Sequence, residues 1–236
     1  MENIESILIE IAGNENITIT EKQSKQFQTY FELLLEWNNK INLTSITESV
    51  KIVEKHFLDS IMLLKYISFG KVNLVDVGTG AGFPGVPLKI MCPDLELTLM
   101  DSLKKRLIFL DTLCEALEIE AETVHFRAED AGRDLVYRES FDYVTARAVA
   151  SLNVLSEYCL PLAKKNGKFL AMKGPNLEEE LANSKKAIAA LGGRTEKVEK
   201  FSLPCGDERT LVIIEKREKT HFKYPRHSSI IAKKPL

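Results

Sequence analysis

The run Leu74-Val75-Asp76-Val77-Gly78-Thr79-Gly80-Ala81-Gly82-Phe83-Pro84-Gly85 constrains this chain more than any other stretch. Val72 to Val77 is short, apolar and rich in β-branched residues, the composition of a buried parallel strand. Gly78, Gly80 and Gly82 follow at every second position, and then comes Pro84, a residue favoured in the first turn of a helix. Lacking a Cβ, glycine lets the backbone turn sharply and come close to a ligand. A strand, a glycine turn and a helix start in that order predict a cradle for a nucleotide-type cofactor.

The spacing narrows the choice. A dinucleotide fingerprint reads G-x-G-x-x-G and faces a pyrophosphate, whereas here the glycines read G-x-G-x-G with Asp76 two residues before them. An acid beside the turn repels a pyrophosphate but suits a ligand with a cationic amine and a sulfonium, such as S-adenosyl-L-methionine. A second acid, Asp101, closes the apolar run Leu95 to Met100, about twenty residues after the last glycine, where a ribose-binding carboxylate is expected. The alternative reading of Asp101, the lesser of the two, is an ordinary acidic helix N-cap.

From Val72 onward, strand-like and helix-like patterns alternate. Strands are expected at 72–77, 95–101, 121–126, 141–146 and 167–172, and helices at 84–91, 103–117, 151–163 and 177–191. Glu196 to Leu203 and Arg209 to Glu215, joined through Pro204-Cys205-Gly206-Asp207, predict an antiparallel hairpin. Before this region the chain reads as helices. Ile4, Ile7, Leu8 and Ile11 share one face, and Thr20 with Gln23 makes a capping box for a helix through Trp37, with Phe27, Phe31, Leu34 and Leu35 on its apolar side. Thr47 is expected to cap a third helix, whose inward face holds Val50, Val53, Phe57, Ile61 and Leu64. The fold class is therefore α/β: an N-terminal helical cap on a core of about seven strands, mostly parallel, with a C-terminal antiparallel hairpin, an order that suits a Rossmann-like class I methyltransferase. The expected divisions are a cap over 1–70, a core over 71–217 and a basic tail over 218–236.

Composition excludes several classes. A net charge of −2 over 236 residues argues against indiscriminate coating of nucleic acid, although Lys216 to Leu236 carries seven Lys or Arg against one Glu. Cys92, Cys114, Cys159 and Cys205 are far apart, with no C-x-x-C pair and no matching histidines, so free thiols in a reducing cytoplasm are expected and a metal site is not. No signal peptide is evident and no apolar run reaches membrane-spanning length.

The chain resembles the 16S ribosomal RNA guanine-N7 methyltransferases of bacteria, the RsmG family (formerly glucose-inhibited division protein B, GidB). The resemblance is carried by Asn42-Leu43-Thr44, His56-Phe57-Leu58-Asp59-Ser60, Asp76 to Gly85, and Asp101-Ser102 followed by Lys104-Lys105-Arg106. It continues through Arg127-Ala128-Glu129, Arg147-Ala148-Val149-Ala150, Ala171-Met172-Lys173-Gly174 and Tyr224-Pro225-Arg226. The family's Lys/Arg-Gly-Thr-Pro continuation is replaced here by His227-Ser228-Ser229-Ile230-Ile231. The resemblance implies transfer of methyl from S-adenosyl-L-methionine to N7 of a guanine in the 530 loop of 16S rRNA, giving 7-methylguanosine. The implied substrate is the small ribosomal subunit or an assembly intermediate, met by a cytoplasmic monomer with no membrane partner. It places the cofactor against Gly78, Phe83, Ala128, Glu129 and Arg147, while Asp76 and Asp101 match acidic positions of the wider superfamily; Gly80 and Gly82 complete the turn.

Individual residues keep two readings at this level. Glu129 suits the adenine amine, or caps the helix that follows. Phe83 is as much a packing residue as a ligand contact. Arg147 ends the apolar strand Phe141 to Ala146, where a buried guanidinium needs an anion: the methionine carboxylate, an RNA phosphate or the target base, or else an acid such as Asp142. Lys173 ends the next strand and invites the same argument. Arg147 and Lys173 are the candidate catalytic residues, as positioning groups, since N7 has a lone pair and no proton to lose. Asn42 and His56 are candidate RNA contacts, against an Asx-turn and a packing histidine. Arg209, Lys223, Tyr224 and Arg226 complete the candidate RNA set, the last three in a run that includes Lys216 and Phe222 and reads otherwise as a solvated tail. Two other functions fit the glycine turn alone: methylation of a small metabolite, and a module that binds the cofactor and catalyses nothing.

Overall fold

Thr20 opens the longest helix of the chain as its capping box requires: its Oγ1 accepts from the Gln23 backbone, and its own N–H reaches the Gln23 side chain. The computed structural model describes residues 3–68, 70–147, 150–175 and 177–236. The motif residues Ala148 and Val149 lie outside the described residues, as do three positions within the expected cap, Met1, Glu2 and Phe69. Helix α1 spans Glu5–Asn14 and α2 Glu21–Ile41, where Asn42, in the left-handed region at φ 50°, ends it as the C-cap. Phe27, Tyr30, Phe31 and Leu34 form its buried face.

The third cap helix departs from expectation. α3 (Ser49–Ile52) is preceded by Glu48, not Thr47, with no side-chain cap, and Val50 is 39% exposed rather than inward. A π turn over Val53–Leu58 follows, then α4 (Asp59–Ile61) and a 3₁₀ turn over Met62–Tyr66. The wider π turn shifts the phase of everything after it, so a stripe drawn at 3.6 residues per turn does not run through the whole segment. Val53, Phe57 and Ile61 are fully buried, and Leu64 only partly.

The sheet then builds in chain order: β1 (Asn73–Val77), α5 (Gly85–Met91), β2 (Glu96–Asp101), α6 (Lys104–Ala116), β3 (Glu122–His125), α7 (Ala128–Ala131), β4 (Phe141–Arg147) and α8 (Leu152–Cys159). β5 (Ala163–Lys173), α9 (Glu178–Ala190), β6 (Gly193–Ser202), β7 (Glu208–Lys216) and α10 (Ser228–Lys233) complete it. The strand order is β3-β2-β1-β4-β5-β7-β6, with β7 antiparallel to both neighbours and the other pairs parallel. The expected 151–163 helix is shorter, because residues from Ala163 onward already pair as β5.

Both faces of the sheet are covered, as parallel strands require. On one face Leu74, Leu97, Leu99 and Tyr143 share a core with Phe27, Tyr30 and Phe57 of the cap, and on the other Val75, Val144 and Phe169 pack with α8 and α9. No described helix is long and apolar enough to cross a membrane. The strand order reverses between β1 and β4, and the carboxyl ends flanking that reversal are where ligands bind in open α/β sheets.

The C-terminal segment is docked, which corrects the expectation of a solvated run at two positions. Lys216 is fully buried: its ammonium donates to Leu160 O (2.6 Å), Ala163 O (3.3 Å) and Thr220 Oγ1 (2.7 Å) and pairs with Glu139. Burial lowers its pKa to about 8. Arg226 pairs through two guanidinium nitrogens with Glu157, itself fully buried on α8. The divergent stretch forms α10, capped by the His227 ring on Ser229 N and anchored by the buried Ile231.

Candidate active site

Asp76 organises the glycine turn from beneath. Fully buried, its carboxylate accepts from Thr79 Oγ1 (2.7 Å), Gly85 N (3.0 Å) and Thr145 Oγ1 (3.3 Å), and burial raises its pKa to about 6. Its oxygens are thus engaged with the turn itself. Gly78 N and Thr79 N donate to Met100 O, tying the turn to β2, and the Tyr30 hydroxyl donates to Ala81 O at 2.5 Å from the helical cap.

The glycines do different work. Gly82, at φ +98°, has no room for a side chain: an added Cβ would lie 2.8 Å from both Tyr30 Oη and Val86 Cγ2. At Gly80, φ +63°, the same atom would meet only Gly78 O at 3.9 Å, so this backbone is open to a ligand. Gly80 N donates to Asp101 Oδ2 at 3.0 Å; Asp101, 2% exposed, also accepts from Leu103 N and Arg106 Nη1. Asp101 is therefore not the N-cap of α6; Leu103 holds that position. Ala128 and Glu129 open α7 after β3, and Glu129 is 6% exposed with no ion pair among the described residues. An open backbone at Gly80 bounded by buried acids after β2 and β3 fits a ligand that presents ribose hydroxyls, an exocyclic amine and positive charge.

Arg147 stands across the β1–β4 reversal from this cradle. Its guanidinium carbon lies 4.9 Å from the centre of the Phe83 ring, and Nη1 donates to Lys55 O (3.1 Å) and Asp59 Oδ2 (3.3 Å). Asp59, not Asp142, is its carboxylate partner; Asp142 pairs with Lys164 at the opposite end of β4. Phe83 is 6% exposed, stacked against Tyr30 (5.2 Å) and His56 (4.7 Å), so it packs as core while backing the guanidinium. His56 Nε2 meets Thr44 Oγ1 at 2.8 Å and Nδ1 faces Arg147 Nη2 at 3.4 Å. Nδ1 also lies 3.1 Å from Lys55 O, which can only accept, so the neutral ring carries its proton on Nδ1 and Nε2 accepts from the Thr44 hydroxyl. Burial, reinforced by the Arg147 charge, lowers the ring's pKa to about 3 and keeps it neutral.

The polar chain continues through Asp59. Arg209, entering from the start of β7, approaches Asp59 Oδ2 with Nε at 3.5 Å and Asp207 with Nη2 at 3.3 Å, and Lys55 pairs with the same Asp207 at 2.8 Å. Asp59 is 2% exposed; desolvation pushes its pKa up while both arginines pull it down. Its Oδ1 is buried without a hydrogen-bond partner, one of two such side-chain atoms among the described residues, the other being Thr210 Oγ1. Lys173 donates to Ala150 O (2.8 Å) and pairs with Glu180 (2.6 Å). His56, Asp59, Arg147, Lys173 and Arg209, with Lys55, line one cleft of about 350 Å³ at the carboxyl edge of the sheet.

The structure thus gathers His56, Arg147, Lys173 and Arg209 from distant parts of the chain and leaves other candidates outside. Asn42 is an exposed helix cap, and Lys223, Tyr224 and Arg226 do not line the cleft. Tyr224 is 8% exposed beneath the Lys223 ammonium. Sequence reasoning gave Lys55 no part and Asp59 no role as the hub; the apolar neighbours Phe57 and Leu58 signalled only a buried helix.

The model of the GidB family, rRNA small subunit methyltransferase G, matches residues 23–212. The chain belongs to that family. Ribosomal RNA small subunit methyltransferase G of Lactococcus lactis subsp. cremoris is 51% identical over 224 residues, covering 94% of each chain. Its counterpart in Bacillus velezensis is 51% identical over 237 residues and 99% of each. Among solved structures, a methyltransferase from Pyrococcus furiosus superposes with a TM-score of 0.56 at 14% identity, covering 83% of this chain and all of that one. P. horikoshii TYW2 in complex with MeSAdo gives 0.55 at 14% identity, over 68% of this chain and 62% of its own. These two likenesses concern the fold, a class I methyltransferase core. The glycine turn and the Arg147 cleft sit at the carboxyl edge of the sheet, beside the reversal of strand order.

Proposed function

We propose that this chain transfers the methyl group of S-adenosylmethionine to N7 of a guanine in the 530 loop of 16S rRNA, acting as a cytoplasmic monomer on the small ribosomal subunit or an assembly intermediate. One observation carries the reading: an acid-bounded cradle at Gly80 and a cation-rich cleft around Arg147 share one edge of the sheet, separated by the Phe83 ring. The relatives named as small-subunit rRNA methyltransferases supply the substrate class.

Bound S-adenosylmethionine supplies an electrophilic methyl on a cationic sulfur. Guanine N7 carries an in-plane lone pair and attacks without losing a proton, so the protein's task is alignment, worth about 7–11 kcal/mol for well-oriented reactants. Asp101 and Glu129 would hold the ribose and adenine side of the cofactor. Arg147, kept rigid by Lys55 O, Asp59 and the Phe83 ring, offers its remaining donor capacity to the substrate. Arg209, Lys173 and Lys55 give the cleft the positive potential that draws an RNA segment to it.

The test is methyl transfer from labelled S-adenosylmethionine to small subunits lacking the modification, with naked rRNA and modified subunits as controls. Label confined to one guanine of the 530 loop, mapped by cleavage at N7-methylguanine, is the expected result. Label elsewhere, or on a metabolite fraction and not on subunits, overturns the reading.

A further inference from the structure

Asp59 is an anomaly among the buried carboxylates of this protein. Asp76 and Asp101 use their oxygens on backbone and side-chain donors nearby, and Glu157 takes Arg226 with both of its own. Asp59, at the carboxyl edge of the sheet, has two cationic partners on Oδ2 at 3.3 and 3.5 Å and none on Oδ1. An unsatisfied buried acceptor costs free energy, roughly 1–3 kcal/mol and more when charged. The π turn sets Asp59 immediately after Val53–Leu58 with Lys55, His56 and Asp59 all on the cleft, a placement characteristic of π turns at functional sites.

The missing partner of this carboxylate is a pair of donors. A guanine taken out of its stack shows, along its Watson–Crick edge, the O6 acceptor followed by the N1–H and N2–H donors. A carboxylate flanked by cations is the complement of that edge: two acceptor sites for N1–H and N2–H, and a guanidinium or ammonium for O6. Adenine offers the carboxylate one donor, its C6 amine, where guanine offers two, N1–H and N2–H. The cleft supplies the whole set, with Asp59 beside Arg209, Arg147 and Lys173. Both guanine donors would fall on Oδ1, whose two acceptor sites are free, while Oδ2 keeps its two arginines.

We infer that Asp59 reads the Watson–Crick edge of the target guanine in this cleft, and so determines which purine is presented to the methyl donor. The inference rests on the N7-guanine reading above and adds to it the residue that selects the base. A site built around such hydrogen bonds rejects analogues that lack them far more strongly than an apolar pocket does.

Inosine tests this directly, because hypoxanthine keeps N7, O6 and N1–H and lacks only the 2-amino group. Small subunits reconstituted with guanine or inosine at the methylated position are assayed in single turnover with wild type and Asp59→Asn. Wild type is expected to methylate the inosine site roughly tenfold or more slowly than guanine, and Asp59→Asn to treat the two alike. Equal wild-type rates on guanine and inosine, or an Asp59→Asn variant that keeps the wild-type preference, overturn the assignment. No wild-type transfer to N7 of guanine defeats the underlying reading instead. Should Asp59→Asn transfer no methyl to either, the ratio of its Kd values for the two subunits decides: a ratio near one supports the inference, and the wild-type ratio overturns it.

Discussion

Arg226 and Glu157 lock the end of the chain to its core: the carboxylate accepts from Arg226 Nε (2.8 Å), Nη2 (2.6 Å) and the Arg226 backbone N–H (2.8 Å). Glu157 is fully buried, so its charge has no recourse to solvent if the arginine is lost. Arg226→Ala should therefore destabilise the fold by up to about 3 kcal/mol, the scale for stranding a buried ion. Arg226→Ala combined with Glu157→Gln should recover part of that loss. Denaturant unfolding of the three proteins measures both effects; an Arg226→Ala variant as stable as wild type would show that the tail is not anchored here.

Gly80 and Gly82 should respond oppositely to the same change. Gly82→Ala drives a methyl into Tyr30 and Val86, so the melting temperature falls and the docking of the helical cap suffers. Gly80→Ala meets no atom within ordinary contact distance except Gly78 O, and costs only the left-handed backbone penalty, about 1 kcal/mol. Its loss should appear in S-adenosylmethionine affinity by calorimetry rather than in the melt. Unchanged affinity in Gly80→Ala would remove this backbone from the cofactor site.

Arg147→Lys keeps a positive charge but not the fork that meets Lys55 O and Asp59 together while facing the His56 ring and covering Phe83. Methyl transfer should fall by about tenfold or more, with kcat affected more than the KM for subunits. A variant with wild-type kcat would assign the guanidinium a purely structural part.

How much of this was legible beforehand depends on the range of the interaction. The glycine turn, the strand–helix alternation, the hairpin and the Thr20–Gln23 cap follow from patterns within a few residues, and each is present. The π turn is not, because nothing in Val53–Leu58 departs from an ordinary helical composition. The partners of Arg147, Lys216 and Arg226 lie 88, 77 and 69 residues away, respectively. Charge at a strand end announces that an anion is required, but the fold alone says that it is Asp59 and not Asp142. His56 was readable as a packing residue or as a pocket residue, and it is both at once: it stacks on Phe83 and also lines the cleft.

That ring makes acid sensitivity a test of the same network. His56 titrates near 3 in the folded protein against an ordinary 6.5, so between those values the unfolded chain binds more protons and stability is lost as pH falls. Asp76 has the opposite sign. Raised to about 6 from 3.8, it makes the native state the better proton binder in that window, so stability is gained as pH falls through it. Thermal melts between pH 4 and 8 should show a shallower acid loss in His56→Gln than in wild type, and a steeper one in Asp76→Asn. Parallel curves for wild type and His56→Gln would mean that the ring is not held neutral.

The reversed direction of β7 has a consequence for biogenesis. Because β7 runs against β5, its first residues lie beside the carboxyl end of β5, with Thr210 opposite Lys173, and this carries Arg209 to the edge reached by every parallel strand. As the polypeptide leaves the ribosome, the glycine turn, Arg147 and Lys173 are all made before it. A nascent chain ending near residue 205 holds the glycine turn and the strands beside it but not the closing wall of the cleft. The cleft is thus closed only once β7 has been made and has paired with β5, later than the strands that carry Arg147 and Lys173.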